Sequence, residues 1–279
     1  MAIDKATKDL YNEKISVHKD QIKEWEKEVK TYQKAIQQNK KLEPFLRLGI
    51  VANYIRQANL YMDMNDLSEQ MMGIKNHSYL ENARKLILKI FPEMDKVVTM
   101  KMDEPIDFNR EQLNKLKPFT PKHRLNLYKH LQKTIKRLIA SFPENTKWKW
   151  SFPDMWANLA VMGKNIIDFR EIQSIRDPRE EYYYDRQELL SLVKTQLFDA
   201  SGEFRNKYEL STKSNNDLIK AIRLLEDLKR ICAVTGDSEL AQKAKAGIEA
   251  YRNRIEASEE EKKKKKATKG KGAKKKKKK

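Results

Sequence analysis

Apolar residues recur along most of the chain at alternating steps of three and four, the period of helices that bury one face. Over residues 4–41, Ile15, Ile22, Val29 and Ile36 form one row at seven-residue spacing, and Tyr11, His18, Trp25 and Tyr32 form a second. That is a coiled-coil-like seam about four heptads long. The second row is aromatic and His rather than Leu. The flanking Asn12, Lys14, Lys19, Gln21, Glu26, Glu28 and Gln33 follow no consistent charge code. The seam at Ile15, Ile22, Trp25, Val29, Tyr32 and Ile36 is therefore expected to dock against the protein's own core, with a second helical chain or a second copy as the alternative.

Further along, helix starts are legible. Thr120-Pro121 places an N-cap before a proline at the first helical position, ahead of a stripe of Leu125, Tyr128, Leu131, Ile135, Leu138 and Phe142 that Pro143 stops. Ser151 with Asp154 resembles a capping box and leads into Met155, Leu159, Met162, Ile166, Phe169 and Ile172. Asp177-Pro178 followed by Glu180 and Glu181 predicts another start, with carboxylates where the helix dipole favours them. Two earlier helices are expected near 44–62 and 78–100, the second broken by Pro92. Ser214 and Asp217 open a helix carrying Leu218, Ala221, Ile222, Leu225, Leu228 and Ile231. Gly236 ends it, and Asp237 begins a partner with Ala241, Ala244, Ile248, Tyr251 and Ile255 on one face. No stretch alternates with period two, and eight Gly and eight Pro are few for hairpin turns in 279 residues. The prediction is an all-α chain: a coiled-coil-like helix over 1–43, a helical region over 44–258 ending in a hairpin at 214–256, and a disordered tail over 259–279.

Charge changes this picture in two places. The chain holds 59 Lys+Arg against 40 Asp+Glu, a net of +19. Residues 259–279 alone hold thirteen Lys and three Glu, a net of +10. Lys262, Lys263, Lys264, Lys265, Lys266, Lys269, Lys271, Lys274, Lys275, Lys276, Lys277, Lys278 and Lys279 have nothing to bury and repel one another, so the segment is expected to contact a polyanion. Glu259, Glu260 and Glu261 stand four residues before Lys263, Lys264 and Lys265, an order that extends a helix by a turn or two before Gly270. The segment resembles the lysine-rich tails of linker histones in composition only, and nothing of that carries over to the first 258 residues.

The second basic feature lies between Gln112 and Pro143, which contains no acid but holds Lys115, Lys117, Lys122, Arg124, Lys129, Lys133, Lys136 and Arg137. Lys129, Lys133 and Lys136 share a helical face opposite the apolar stripe. Lys147, Trp148, Lys149 and Trp150 then alternate base and aromatic, a pattern that lets nucleobases stack while lysines hold phosphates. The competing reading makes these lysines a solvated face and the tryptophans part of the core.

Signatures of other chemistry are weak. His18 sits in the seam, and His123 and His130 stand two turns apart on one helix, roughly 10 Å by rise, too far to share a metal. His77 is the fourth histidine. Cys232 reads as a small buried hydrophobe, and a single Cys fits a reducing compartment. Gly270-Lys271-Gly272-Ala273-Lys274 lacks the strand that precedes a phosphate-binding loop. No catalytic, cofactor or metal residues are expected. Without an apolar leader or a run near the ~18 residues of a membrane span, the expected location is cytoplasmic, or nuclear in a eukaryote. The leading expectation is a non-enzymatic helical protein that binds nucleic acid without sequence preference. The alternative is an adaptor that docks helices through the N-terminal seam and the C-terminal hairpin.

Overall fold

The computed structural model describes residues 4–102 and 104–276, with side chains described through Lys264. Ten α-helices and no strand occur among the described residues. They divide into two compact units, residues 1–193 and 194–279.

The first unit opens with α1 (Lys5–Gln38), capped by Asp4, whose side chain accepts the Thr7 N–H at 2.7 Å. Its four buried positions are Ile15, Ile22, Val29 and Ile36, so the seven-residue row is the docked face. Tyr11, His18, Trp25 and Tyr32 flank it half-buried. The face is covered by α2 (Glu43–Met72), reached through a short turn at Lys40–Leu42. The pairing is antiparallel. Tyr32 lies against Gly49, where a Cβ would stand 2.8 Å from the ring, so that crossing requires glycine. One heptad back, the Arg56 guanidinium sits 6.0 Å above Trp25, and further back Ile15 and Ile22 cluster with Met64.

α2 is far longer than the 44–62 expected, and its buried residues lie all round it: Leu48, Ile50, Val51, Tyr54, Ile55, Ala58, Met62 and Met64. A helix apolar on every side belongs inside the core. It carries α1, α3 (His77–Met94) and α5 (Pro121–Ser141) around it. Its last turns were missed because Asp63, Asn65, Asp66 and Ser68 interrupt the apolar pattern. Two of these are nonetheless buried and bonded: Asn65 accepts the Asn76 N–H at 2.9 Å, and Ser68 donates to the Ile74 carbonyl at 2.8 Å.

Four boundaries differ from expectation for identifiable reasons. Pro92 lies within α3 instead of breaking it. Only one intrahelical bond is forfeited so close to the end, and Phe91 and Met94 on either side are buried. Ser151 does not cap α6 (Phe152–Ile166). A 3-10 turn over Lys149–Ser151 runs straight into that helix, and the Ser151 hydroxyl donates to the Trp148 carbonyl at 2.7 Å. The long stripe expected from Met155 to Ile172 is divided between α6 and α7 (Phe169–Ser174), because Ile167 is extended and Asp168 caps α7 through the N–H groups of Arg170 and Glu171. α8 (Tyr183–Lys207) starts later than Asp177. That carboxylate instead closes a turn onto Arg179, and Tyr182 sits at φ 60°, outside helical geometry. Short α4 (Arg110–Lys115), which no pattern announced, precedes α5.

The second unit holds the last part of α8, α9 (Asn215–Thr235) and α10 (Ser238–Lys276). Lys194 reaches Asp237 at 3.1 Å and Lys207 reaches Asp217 at 3.7 Å, so α8 runs antiparallel to α9. Phe204, Leu225, Leu228, Ile231, Ala244 and Ile248 fill the middle. The hairpin turn is the one expected. Gly236 is left-handed at φ 74°, a conformation that favours glycine, and Asp237 caps α10 by accepting the Leu240 N–H at 3.2 Å. Cys232 is buried, and burial pushes its thiol pKa up. The α8–α9 connection includes a π-helical turn at Tyr208–Thr212 that the sequence did not suggest.

Candidate polyanion-binding surface

α5 is the platform of the basic stretch between Gln112 and Pro143. Thr120 caps it by accepting the His123 N–H at 3.4 Å, and the His123 ring nitrogen faces the Thr120 N–H at 3.3 Å. Histidine thus fills the role that Glu or Gln plays in an ordinary capping box. Leu125, Tyr128, Leu131, Ile135 and Leu138 are buried, which turns the opposite face outward.

The eight basic residues of this stretch fall into two groups. Lys115, Lys117, Lys122, Lys133 and Lys136 are exposed and form no ion pair among the described residues. The other three are engaged by the fold. Arg124 is only 6% exposed and is held by backbone carbonyls. Its assignment to the anion-facing surface is corrected on that ground: its guanidinium faces inward. Lys129 is half-buried and ion-paired with Glu188. Arg137 is clamped by Asp63 and Asp66, each at 2.6 Å, which joins α5 to α2. Burial pulls its pKa down, but the hydrogen bonds it donates to Asp66 and Asp63 outweigh this and raise it.

The aromatic loop is also partly engaged. Trp148 is half-buried, with the Arg84 guanidinium 3.6 Å from the ring centre and Lys147 Nζ at 5.0 Å. Arg84 is fixed in turn by two 2.8 Å bonds to Glu81, and those hydrogen bonds hold the Glu81 carboxyl below its ordinary pKa. Trp148 is therefore a packed cation–π partner of Arg84. Trp150 is half-buried, with Lys149 Nζ 5.6 Å from its ring. Beside Trp148 lies an open cleft of about 660 Å³, with His77, Ser78, Phe142 and Lys147 among its lining. The contributions of Glu81 and Arg84 were illegible in the sequence, because they stand more than sixty residues from Trp148 and share no pattern with it.

The lysine-rich segment continues α10. The backbone is helical through Lys276, and Lys262, Lys263 and Lys264 are exposed. Lys264 stands 3.9 Å from Glu260, the four-residue pairing the sequence suggested. The side chains of Lys265, Lys266, Lys269, Lys271 and Lys274 through Lys279, and any disorder of the tail beyond Lys276, lie outside the described residues.

No group of three or more His, Cys, Asp and Glu residues is placed to hold a metal among the described residues, and no described helix is long and apolar enough to cross a membrane. His18 Nδ1 lies 2.9 Å from the Lys14 carbonyl on its own helix.

Fold and surface together define an all-α protein in which hairpins of long helices present basic side chains. Comparison gives the family: a family model matches residues 7–259, and the chain belongs to the TP0443 family. The match stops just short of Lys262. No curated protein matches the chain. A solved chain described as "Computational Design of Self-Assembling Cyclic Protein Homooligomers" is 11% identical, with 90% of this chain and 96% of that one covered, at a TM-score of 0.29, too low to bear on fold or function.

Proposed function

We propose that this protein is a non-enzymatic helical binding protein that attaches to nucleic acid without sequence preference, chiefly through its lysine-rich C-terminal segment. One observation carries the reading: thirteen lysines lie between Lys262 and Lys279, with no carboxylate after Glu261. Such a segment gains most from a partner dense in phosphates, because each phosphate neutralised releases a condensed counterion. Lysines without arginine forks position a backbone and read no sequence. The exposed Lys115, Lys117, Lys122, Lys133 and Lys136 supply a weaker second contact.

The adaptor reading is narrowed by the α1–α2 pairing, since Ile15, Ile22, Val29 and Ile36 already have a partner within the chain. The test is fluorescence anisotropy of labelled duplex and single strand with the intact protein at low salt. Micromolar or tighter binding to duplexes of unrelated sequence, with equal affinities, is the expected result. Absence of binding at low salt refutes the reading and leaves the adaptor.

A further inference from the structure

In the second unit, the last helix outruns the bundle that holds it. Gly247 of α10 packs so closely on α9 that a Cβ there would stand 2.8 Å from Leu225. Arg252 reaches Glu226 at 2.9 Å, and the Arg254 guanidinium lies 6.0 Å above the Tyr208 ring. The two helices are antiparallel, and α9 begins at Asn215, eleven residues before Glu226. The same count onward from Arg252 brings α10 past the start of α9 near Lys263. Its backbone stays helical to Lys276, so an arm about 20 Å long extends beyond α9. The arm begins where the carboxylates stop, at Glu261.

Residues 262–276 hold ten lysines in fifteen residues and no acid. At the rise of a helix that is about one positive charge every 2 Å, whereas an extended chain would carry about one every 5 Å. Double-stranded DNA carries one negative charge per roughly 1.7 Å of its axis, a density that only the helical form approaches. The dimensions agree as well. A helix is about 10–12 Å across and the major groove of B-form DNA about 12 Å wide, while that of A-form RNA is deep and narrow. Like charges four residues apart oppose a lysine helix in water, and phosphates along a groove relieve that repulsion. Gly270 and Gly272 weaken the helix further, so its persistence depends on such a partner.

We propose that the lysine-rich continuation of α10 binds B-form DNA as a helix lying in the major groove, and so prefers duplex DNA to duplex RNA. The inference rests on the nucleic-acid reading above and adds to it the form of the duplex and the conformation of the segment. A lysine segment acting as a shapeless polycation would depend on charge alone.

Three full-length chains of equal net charge separate helix from charge. They are the wild type, Ala267→Pro, which interrupts the arm, and Gly270→Ala with Gly272→Ala, which strengthens it. Fluorescence anisotropy with labelled DNA and RNA duplexes of one sequence, at one salt concentration, compares them. The wild type is expected to bind the DNA duplex more tightly than the RNA duplex. Ala267→Pro weakens DNA binding about tenfold and removes the preference, and the double alanine variant tightens DNA binding about threefold. All three melt alike, because the arm lies beyond the packed bundle. Equal DNA affinities in the three chains, or RNA bound as tightly as DNA by the wild type, overturn the groove-bound helix and leave a diffuse attachment, so the nucleic-acid reading stands. Absence of binding by the wild type to either duplex refutes that reading itself, and this inference with it.

Discussion

Between Gln112 and Pro143 the chain places eight basic residues on and beside one helix, and between Lys262 and Lys279 it places thirteen. By charge alone the two segments look like one kind of surface at two strengths. Folding separates them. In the first, an apolar stripe ties α5 to α2 and α6, and three of the eight cations are drawn into the packing: Arg124 by carbonyls, Lys129 by Glu188 and Arg137 by Asp63 and Asp66. The second has no apolar residue larger than Ala and no acid beyond Glu261, so nothing in its own sequence can compete with an external anion. A count of lysines and arginines measures available charge only where the chain has no core to recruit them.

The largest expected effect strikes the scaffold that makes the first segment different. Ile22→Asp places an unpaired carboxylate on the buried α1–α2 face, where Ile22 is 4% exposed. A loss of about 3–5 kcal/mol in denaturant unfolding is expected. A parent-like midpoint shows that α1 is not docked. Trp148→Ala comes next. Removing a half-buried indole and its Arg84 contact costs about 2 kcal/mol, while the salt dependence of nucleic-acid binding stays the same. The opposite pattern, unchanged stability with weakened single-strand binding, returns Trp148 to the role of a stacking platform.

The sequence made the apolar half of this architecture readable and left the polar half obscure. The seven-residue row of α1, the Thr120 cap and the Gly236 turn are local signals, each set by residues within a few positions of one another, and each appears where expected. α2 escaped its true length because buried Asn65 and Ser68 look like a surface in sequence, and only their partners at Asn76 and Ile74 explain them. The candidate surface was legible as composition and not as availability. Nothing near Arg137 announces Asp63 and Asp66 more than seventy residues earlier, and nothing near Trp148 announces Arg84. Pairings at that separation are products of the fold.

Smaller effects sharpen the division. Arg137→Ala forfeits two charge-assisted bonds at a partly exposed site, and screening limits the expected loss to about 1–2 kcal/mol in chemical denaturation. Its effect on nucleic-acid affinity is expected to be slight, because the guanidinium is already neutralised. Lys133→Gln with Lys136→Gln behaves the other way. Stability moves by less than about 0.5 kcal/mol, and the slope of log affinity against log salt falls by at most about 2. Equal behaviour of Arg137→Ala and the lysine pair in both assays erases the distinction between engaged and available charge.

The central claim is that the C-terminal lysines provide most of the attachment to nucleic acid and none of the fold. It is tested most directly by measuring duplex affinity across a salt series for the full chain and for a chain ending at Glu261, alongside their melting temperatures. With about six of the thirteen lysines engaged, truncation lowers the slope magnitude by about 5 and leaves the melting temperature in place. An unchanged slope in a truncated chain that melts like its parent contradicts the claim and moves the contact to the folded helices.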